Sequence, residues 1–342
     1  MQAKNVDPMN STPNRLALIA LLCVITALCG CRSQGTTEKP RSPGTAAVRK
    51  LFAPPLRDTS ICVGPDKAYY LTGTCEPFWG DNHGIRVWRS EDLEAWTPLG
   101  MVWRYGASPW HKPYLEAKKP LWAPEIHYLK GTFWLTYSMP GWDGTAKTSG
   151  SGLLRSVSGR AEGPYEDVQP GARMGDEIDA SLFEDDDGSV YFVWHSGKIA
   201  RMTPGMDGLA GPCHWLRTNT TDPAPDHHSS LCAGIFGPGS FDHVGFEGAT
   251  LFKANGRYYL AAAESIKGRY HCMIAESPAL LGPYGPRHIA VPDGGHVTFF
   301  RDLDGAWWST FFGNDDQAPQ KERPGIVSVA FDADGHLRAA MR

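Results

Sequence analysis

Residues 179–196 read DASLFEDDDGSVYFVWHS: a strand-like segment, a turn built of Asp and Gly, and a second segment that contains an aromatic pair. Asp-Gly turns between segments rich in β-branched and aromatic residues are typical of β-hairpins. The same order of segments recurs at residues 58–74, 123–138, 248–263 and 296–312. Successive aromatic pairs are 64, 58, 67 and 49 residues apart. The chain therefore carries five hairpin repeats of related length.

These repeats predict the fold class. Further short strand-like segments, such as IRVWRS (85–90) and GLLRSV (152–157), follow the hairpins, so that each repeat contains about four strands. A β-sandwich does not repeat in this way, and we find no alternation of strands and helices. The sequence therefore predicts an all-β fold, a five-bladed β-propeller.

The composition excludes several classes of protein. The 342 residues include 33 Lys and Arg against 37 Asp and Glu, a net charge of -4, with 42% hydrophobic residues. That apolar fraction is enough for a large core and excludes disorder as the main state. A mildly acidic chain without basic runs is a poor partner for nucleic acid, and we expect none.

The N-terminal region indicates export. Residues 16–28 form an apolar run after Arg15, too short to span a bilayer and typical of a secretory signal. The run ends in LCGC (28–31), which resembles a bacterial lipoprotein cleavage box with Cys31 as the lipidated residue. We expect a lipoprotein-type signal at residues 1–30, a flexible tether at 31–50 and the propeller domain at 51–342. The protein would then reside in the periplasm or on the outer-membrane surface, touching membrane only through the lipid on Cys31; ordinary signal cleavage nearby is the alternative.

Cysteine and histidine spacing gives no zinc motif. Neither C-x-x-C nor H-E-x-x-H is present. Cys213 and Cys232 bracket a loop-like stretch and are the expected disulfide pair, although spacing alone does not determine connectivity.

Ionisable residues occupy related positions in the repeats. Eleven residues before the first aromatic residue lie Asp58, Trp122, Glu247 and His296, and twelve before it, where the turn is one residue longer, lies Asp179. The first strand of each propeller blade lines the central channel, so we expect these five side chains to meet near one end of the axis. Three carboxylates, an imidazole and an indole would face a common cavity.

This set of side chains indicates glycoside hydrolysis. The reaction needs one carboxylic acid to protonate the leaving oxygen and a carboxylate on the opposite face of the sugar. A third carboxylate nearby raises the pKa of the acid by like-charge repulsion. The sequence contains no serine-nucleophile elbow, phosphate-binding Gly loop or dinucleotide fingerprint that would indicate another chemistry.

The chain resembles glycoside hydrolase family 43, the five-bladed propeller enzymes that include α-L-arabinofuranosidases, β-xylosidases and arabinanases. The resemblance runs in order from about residue 56 to residue 312. The segments that carry it are RDTSICVGPDKAYYLTGT (57–74), LWAPEIHYLKGTFWLTYS (121–138), DEIDASLFEDDDGSVYFVW (176–194), FEGATLFKANGRYYL (246–260) and GGHVTFFRDLDGAWWSTFF (294–312).

The resemblance implies an inverting mechanism and a role for each site residue. Asp58 would be the general base, Glu247 the general acid, and Asp179 the residue that raises the pKa of Glu247 and orients it. His296 would lie near a structural calcium or sodium ion, held directly or through water, and no cofactor would be required for the reaction. Independently of the family, Trp122 is our candidate for a sugar-stacking wall.

The sequence leaves alternatives open for both the substrate and the function. We expect an oligosaccharide or polysaccharide substrate that loses α-L-arabinofuranosyl or β-D-xylosyl units, with specificity set by the loops at 104–120 and 203–246. The loop residues that could line subsites are Trp110, His111, His227, His228 and His243. The alternatives are a surface lipoprotein that binds glycans without cleaving them, a purely structural propeller, and a related five-bladed family that acts on fructans or other sugars.

Overall fold

The computed structural model describes residues 46–219 and 242–341. These residues form five antiparallel sheets, each with four or five strands. The parts of the prediction that lie outside the described residues are the signal at 1–30, the anchor Cys31, the disulfide partner Cys232 and the subsite candidates His227 and His228.

Each sheet is one blade, and the strands follow in chain order. The N-terminal strand is β1 (Arg49–Lys50). Blade 1 contains β2 (Arg57–Val63), β3 (Tyr69–Thr74), β4 (Gly84–Ser90) and β5 (Thr97–Arg104). Blade 2 contains β6 (Trp122–Leu129), β7 (Thr132–Met139), β8 (Gly150–Ser156) and β9 (Tyr165–Asp167). Blade 3 contains β10 (Ser181–Glu184), β11 (Val190–Trp194), β12 (Lys198–Arg201) and β13 (His214–Trp215).

Blades 4 and 5 complete the ring. Blade 4 contains β14 (Glu247–Ala254), β15 (Arg257–Ile266), β16 (Arg269–Ser277) and β17 (His288–Val291). Blade 5 contains β18 (Phe299–Arg301), β19 (Trp307–Phe311), β20 (Gly325–Phe331) and β21 (Leu337–Ala339). Helical structure is limited in the described residues to α1 (Lys112–Glu116) and two single turns, Pro109–His111 and Ala146–Thr148. None of these helices is long and apolar enough to cross a membrane.

The outer edge of blade 5 joins both ends of the described chain. Strand β20 pairs with β1 along its first half and with β21 along its second half. Ala46 and Val48, which precede β1, are buried in the core shared by blades 4 and 5. This corrects the predicted tether of residues 31–50, because residues 46–50 belong to the propeller. A segment as short as β1 carries no periodic pattern by which it could be recognised.

Aromatic side chains of the hairpins form contacts between neighbouring blades. Their rings meet across the gap between neighbouring sheets, with centroid distances of 4.8 Å for Tyr70–Phe133 and 4.9 Å for Phe252–Trp307. Each such contact contributes about 0.5–1.5 kcal/mol beyond the area that it buries. The repeated aromatic residues are therefore the packing units of the propeller, which explains why they recur in every blade.

The inner strands share a bulge at the end that faces the axial cavity. The pairing register shifts between Arg57 and Ser60 in β2, and at matching places in β6 and β14. The residue just inside the bulge has a positive φ: 49° at Asp58, 43° at Ala123 and 66° at Gly248. In this register Glu247 is equivalent to Arg57, one position before the position of Asp58. This corrects the sequence alignment, which placed Glu247 and Asp58 at equivalent positions.

The hairpin turns explain that difference. Five residues separate the paired ends of the first hairpin, Val63 and Tyr69, whereas two separate those of the fourth, Ala254 and Arg257. With the differences in strand length included, Tyr69 lies twelve residues after Arg57 and Tyr258 lies eleven after Glu247, so counting back from the first aromatic residue shifts the register by one. Trp122 shares the position of Glu247 for the same reason.

Candidate active site

A cavity of about 440 Å³ opens where the inner strands begin. Its lining includes all five residues that the sequence predicts to meet, namely Asp58, Trp122, Asp179, Glu247 and His296. Asp58, Trp122 and Glu247 lie at the bulges of β2, β6 and β14, whereas Asp179 and His296 lie just before β10 and β18. The structure therefore brings the five predicted side chains together in one cavity.

Asp58 is held by the neighbouring strand of its own blade. Its Oδ2 accepts a hydrogen bond from the hydroxyl of Thr74, with an O···O distance of 2.7 Å. The same hydroxyl oxygen accepts a hydrogen bond from the backbone N–H of Ala123 at 2.7 Å. Thr74 thus ties the Asp58 carboxylate to blade 2 and leaves Oδ1 to face His296 at 3.9 Å.

Glu247 has one carboxyl oxygen engaged. The hydroxyl of Tyr270 donates a hydrogen bond to Oε1, with an O···O distance of 2.6 Å. Burial raises the pKa of Glu247, the Asp58 charge raises it further, and the contacts with Tyr270 and His296 oppose the rise. Because Tyr270 takes Oε1, Oε2 is the oxygen suited to carry a proton into the cavity.

Asp179 is nearly fully buried, with 5% of its surface exposed. Its backbone N–H donates to the hydroxyl of Ser138, with an N···O distance of 2.6 Å, and its Oδ2 lies 3.8 Å from His296 Nδ1. Burial raises the pKa of Asp179, and the charges of Glu247 and Asp58 raise it further against the effect of His296. Three carboxyl groups in one confined cavity cannot all ionise easily, so the group holds at least one proton over a wide pH range.

His296 is the cation at the centre of this group. Its Nδ1 faces Asp58 and Asp179, and its Nε2 lies 3.9 Å from Oε1 of Glu125 on the far side of the axis. Although burial opposes it, these carboxylates raise the pKa of His296 to about 10. The ring is therefore an imidazolium at neutral pH.

The ion predicted beside His296 does not fit direct coordination by this arrangement. A ring protonated on both nitrogens has no lone pair for a metal. Within residues 46–219 and 242–341, the ligating atoms around His296 are not gathered closely enough to surround one ion. An ion at the axis would have to be held through water.

Two aromatic side chains form a wall of the cavity. The indole N–H of Trp122 donates to the backbone carbonyl of Phe78 at 2.6 Å, which fixes the plane of the ring. Trp79 packs edge-on against it with a centroid distance of 5.3 Å and is 71% exposed. An exposed indole beside a fixed one offers apolar faces of the kind that pack against sugar rings.

Arg57 is a cavity residue that the sequence reasoning missed. It precedes Asp58, hydrogen-bonds Asn314 at 2.6 Å and lies over the rings of Phe78 and Trp79 at 5.5 Å each. Tyr270 and Glu125 were missed as well, because Tyr270 lies on β16, outside the aligned hairpin, and Glu125 lies three residues beyond the aligned position of Trp122. The position of Arg57, equivalent to Glu247 in the bulge, is the one signal that could have identified it.

A second cavity of about 580 Å³ adjoins the first. The two share four lining residues, Trp122, Ile178, Phe246 and Glu247. Glu247 therefore lies at their boundary, while Asp58 and His296 line only the first cavity.

Trp110, His111 and His243, which were open candidates for subsites, line neither cavity. His111 is fully buried and contacts the hydroxyl of Tyr137 at 2.8 Å. Trp110 packs in the core shared by blades 1 and 2, and His243 is buried against Arg217. These side chains support the structure around loops instead of facing a ligand.

Comparison with known proteins gives one consistent result. The family model described as glycosyl hydrolases family 43 matches residues 52–337. "Xylan 1,3-beta-xylosidase" of Vibrio sp is 31% identical over 244 residues, which cover 66% of this chain and 40% of that protein. "Extracellular endo-alpha-(1->5)-L-arabinanase 1" of Bacillus subtilis (strain 168) is 23% identical over 218 residues, or 60% of each chain. The chain thus spans about half the length of the curated relatives it matches.

A solved structure agrees with the fold. The crystal structure of a GH43_1 enzyme from Xanthomonas citri superposes with a TM-score of 0.66 at 20% identity, covering 86% of this chain and 94% of that chain. At this identity the likeness concerns the fold alone. The prediction of a five-bladed β-propeller is confirmed.

Proposed function

The chain belongs to glycosyl hydrolase family 43, and on that premise we propose that it is an inverting hydrolase that removes α-L-arabinofuranosyl or β-D-xylosyl units from plant-type polysaccharides and oligosaccharides. The observation that carries the proposal is the meeting of Asp58, Asp179 and Glu247 in one cavity. The names of the relatives, a xylosidase and an arabinanase, support a pentose as the sugar removed.

In this proposal, Asp58 and Glu247 divide the chemistry. Asp58 takes a proton from a water molecule whose oxygen attacks the anomeric carbon, and Glu247 donates its proton to the departing glycosidic oxygen. The raised pKa of Glu247 suits an acid that must hold its proton near neutral pH. One attack from the face opposite the leaving group inverts the anomeric configuration.

The two adjoining cavities suit the two sides of the scissile bond. We assign the sugar to be released to the first cavity, which contains Asp58 and Asp179, and the leaving group to the second. Glu247 at their boundary then faces the bond between the two parts. Trp122, which lines both cavities, would pack against the sugar ring.

Activity on aryl α-L-arabinofuranoside and aryl β-D-xyloside tests the proposal. We expect hydrolysis by the wild-type protein, loss of about 10²–10⁴-fold in kcat for Glu247→Gln and Asp58→Asn, and wild-type rates for the exposed control Glu91→Gln. Proton NMR of the first sugar released should show the inverted anomer. Binding of a polysaccharide without release of sugar would instead favour the alternative of a glycan-binding propeller, and release with retained configuration would contradict the roles of Asp58 and Glu247.

Export and the lipid anchor belong to the same proposal. They rest on the sequence of residues 1–31, and a lipid on Cys31 would keep the enzyme at the cell envelope, where polysaccharide fragments arrive. Labelling with a fatty acid that is lost in Cys31→Ala would support the anchor; an unlabelled wild-type protein would contradict it.

A further inference from the structure

Three potential metal ligands meet on the outer part of the propeller, away from the cavity described above. Glu276 lies on β16, His288 begins β17, and His336 lies in the turn between β20 and β21. One ligating atom from each residue lies within 4.8 Å of the other two. None of the three lines the 440 Å³ cavity.

The sheet pairing explains why these residues meet. His288 is paired with Ile274, and Glu276 is two residues beyond Ile274, so both side chains project from the same face of blade 4. Strand β21 of blade 5 packs beside β17 and brings His336 to that face. The rings of His288 and His336 have a centroid distance of 4.6 Å.

The ligating atoms lack other partners. Oε2 of Glu276 and Nδ1 of both histidines are buried and have no hydrogen-bond partner among the described residues. The closest approach between His336 Nδ1 and Glu276 Oε1 is 3.7 Å, too long for a hydrogen bond. An unpaired buried polar atom is destabilising, so three such atoms at one point favour an occupant that satisfies all of them together.

The protonation of His288 favours a cation. Its Nε2 lies 3.1 Å from the backbone carbonyl oxygen of Leu337. A carbonyl only accepts, so Nε2 carries the proton. In the neutral ring that carries this proton, Nδ1 is unprotonated and belongs to the cluster. A histidine ligand that donates its other nitrogen to a carbonyl is the common arrangement at metal sites.

The charges near the cluster do not oppose the binding of a cation. Arg338 is the neighbouring cation, and Asp332 holds it at 2.9 Å. The Glu276 carboxylate is then the charge that faces the cluster, with 14% of its side chain exposed. The single negative charge of this carboxylate would offset part of the charge of a divalent ion bound here.

We propose that Glu276, His288 and His336 bind one divalent transition-metal ion, best matched by zinc. Two imidazole nitrogens and one carboxylate oxygen form a ligand set that zinc accepts, with water in the fourth position. Ligand atoms on tetrahedral zinc lie about 3.3 Å apart, from bond lengths near 2.0–2.1 Å, so the side chains need to close by about 1 Å. Calcium and magnesium, which prefer oxygen ligands, match the set poorly.

The ion would link blade 4 to the C-terminal strand of blade 5. Glu276 and His288 belong to blade 4, and His336 immediately precedes β21, one of the two strands that complete blade 5. Coordination would therefore hold the C-terminal strand against blade 4. The ligands lie twelve and 48 residues apart in the chain, which explains why no short spacing motif reveals the site.

Equilibrium dialysis of the untagged protein against zinc sulfate tests the proposal. We expect one zinc ion per chain, and at least ~10-fold weaker binding in both Glu276→Gln and His336→Gln. His83→Gln is the matched control, because His83 is an exposed histidine beside a carboxylate, Asp81, and its loss should leave binding unchanged. Cobalt(II) bound at the site should give the visible absorption of a four-coordinate complex in the wild type and in His83→Gln only.

The unfolding temperature of the wild-type protein tests the proposal even if a variant fails to fold. Its unfolding temperature should rise on addition of zinc and fall back when a chelator is added. Absence of stoichiometric zinc in the wild type, or undiminished binding in either ligand variant, would overturn the site.

Discussion

Asp179 holds the backbone beside Glu247 through Gly248: its Oδ2 accepts a hydrogen bond from the backbone N–H of Gly248, with an N···O distance of 3.1 Å. Asp179 and Gly248 both have a left-handed backbone, with φ of 62° and 66°. Asp179 therefore acts on Glu247 through the position of the peptide that follows Glu247, and the two carboxyl groups also repel each other when both are charged.

Two substitutions of Asp179 should separate these effects. Asp179→Asn keeps an oxygen that can accept from Gly248 but removes the negative charge, so the pKa of Glu247 should fall. Because the acid must be protonated to act, the alkaline limb of the kcat/KM profile should move to lower pH. Asp179→Ala also removes the acceptor, and we expect a further loss of about tenfold in kcat at the pH optimum.

The measurement is kcat and KM across pH for both variants and for Asp176→Asn, which changes a more exposed carboxylate beside Lys198. The control should keep the wild-type profile. An alkaline limb that stays in place in Asp179→Asn would show that Asp179 acts by geometry alone.

Tyr270→Phe should move the same limb in the opposite direction. The Tyr270 hydroxyl donates to Oε1 of Glu247 and lowers its pKa by stabilising the charged form. Without that donor the pKa of Glu247 rises further, so activity should persist to higher pH, while kcat at the optimum falls several-fold because the carboxyl group is less well oriented. Tyr128→Phe, on the far end of the axis, is the control. A shift of the limb toward lower pH would refute the role assigned to this hydrogen bond.

The fold could be predicted because its signal repeats. Every blade contains an aromatic hairpin, and the physical reason is the contact between neighbouring sheets, such as that of Tyr70 with Phe133. The convergence of the carboxylates followed from the same repetition. What the repeats could not supply was the one-residue shift at Glu247, since turn length changes the count without changing the bulge.

Other features depend on contacts that have no sequence signature. Glu125 and Tyr270 come from positions that the hairpin alignment does not relate to the carboxylates. Strand β1 completes blade 5 with two residues. The cluster of Glu276, His288 and His336 arises where three strands of two blades pack together, and only the three-dimensional structure brings those residues to one point.

Gly248→Ala should destabilise the protein and reduce its activity together. Gly248 has φ of 66°, and a Cβ there would lie 2.6 Å from Cγ of the buried His296 ring. The left-handed backbone alone costs about 1–2 kcal/mol for a residue with a Cβ, and the clash must add to it. Gly256→Ala is the matched control, because Gly256 has φ of 71° with nothing within 4 Å of its Cβ position.

We therefore expect urea unfolding to give a loss of about 1 kcal/mol for Gly256→Ala and at least about twice that for Gly248→Ala. Only the latter should lower kcat. Equal losses in the two variants would mean that His296 can move away at no cost, in which case the axial imidazolium is not held as rigidly as the packing indicates.

The charge on His296 should stabilise the fold in a pH-dependent way. Its pKa is raised from the ordinary value of 6.5 to about 10 by Asp179, Glu125 and Asp58, although burial opposes the rise. A raised pKa of a basic group contributes stability that is complete below about pH 6.5 and disappears as the pH rises through about 10. The difference in unfolding free energy between wild type and His296→Gln should therefore shrink steadily over that interval.

His271→Gln provides the contrast, since burial lowers the pKa of His271 to about 4 and its ring is neutral across the same interval. For this variant the difference from wild type should stay constant between about pH 7 and 10, because the neutral ring neither gains nor loses a proton in the folded state and the unfolded histidine is already neutral there. Urea titrations of the three proteins at several pH values make the comparison. A flat difference for His296→Gln would mean that the imidazole is neutral at the axis, which would remove the objection to its lone pair binding an ion directly.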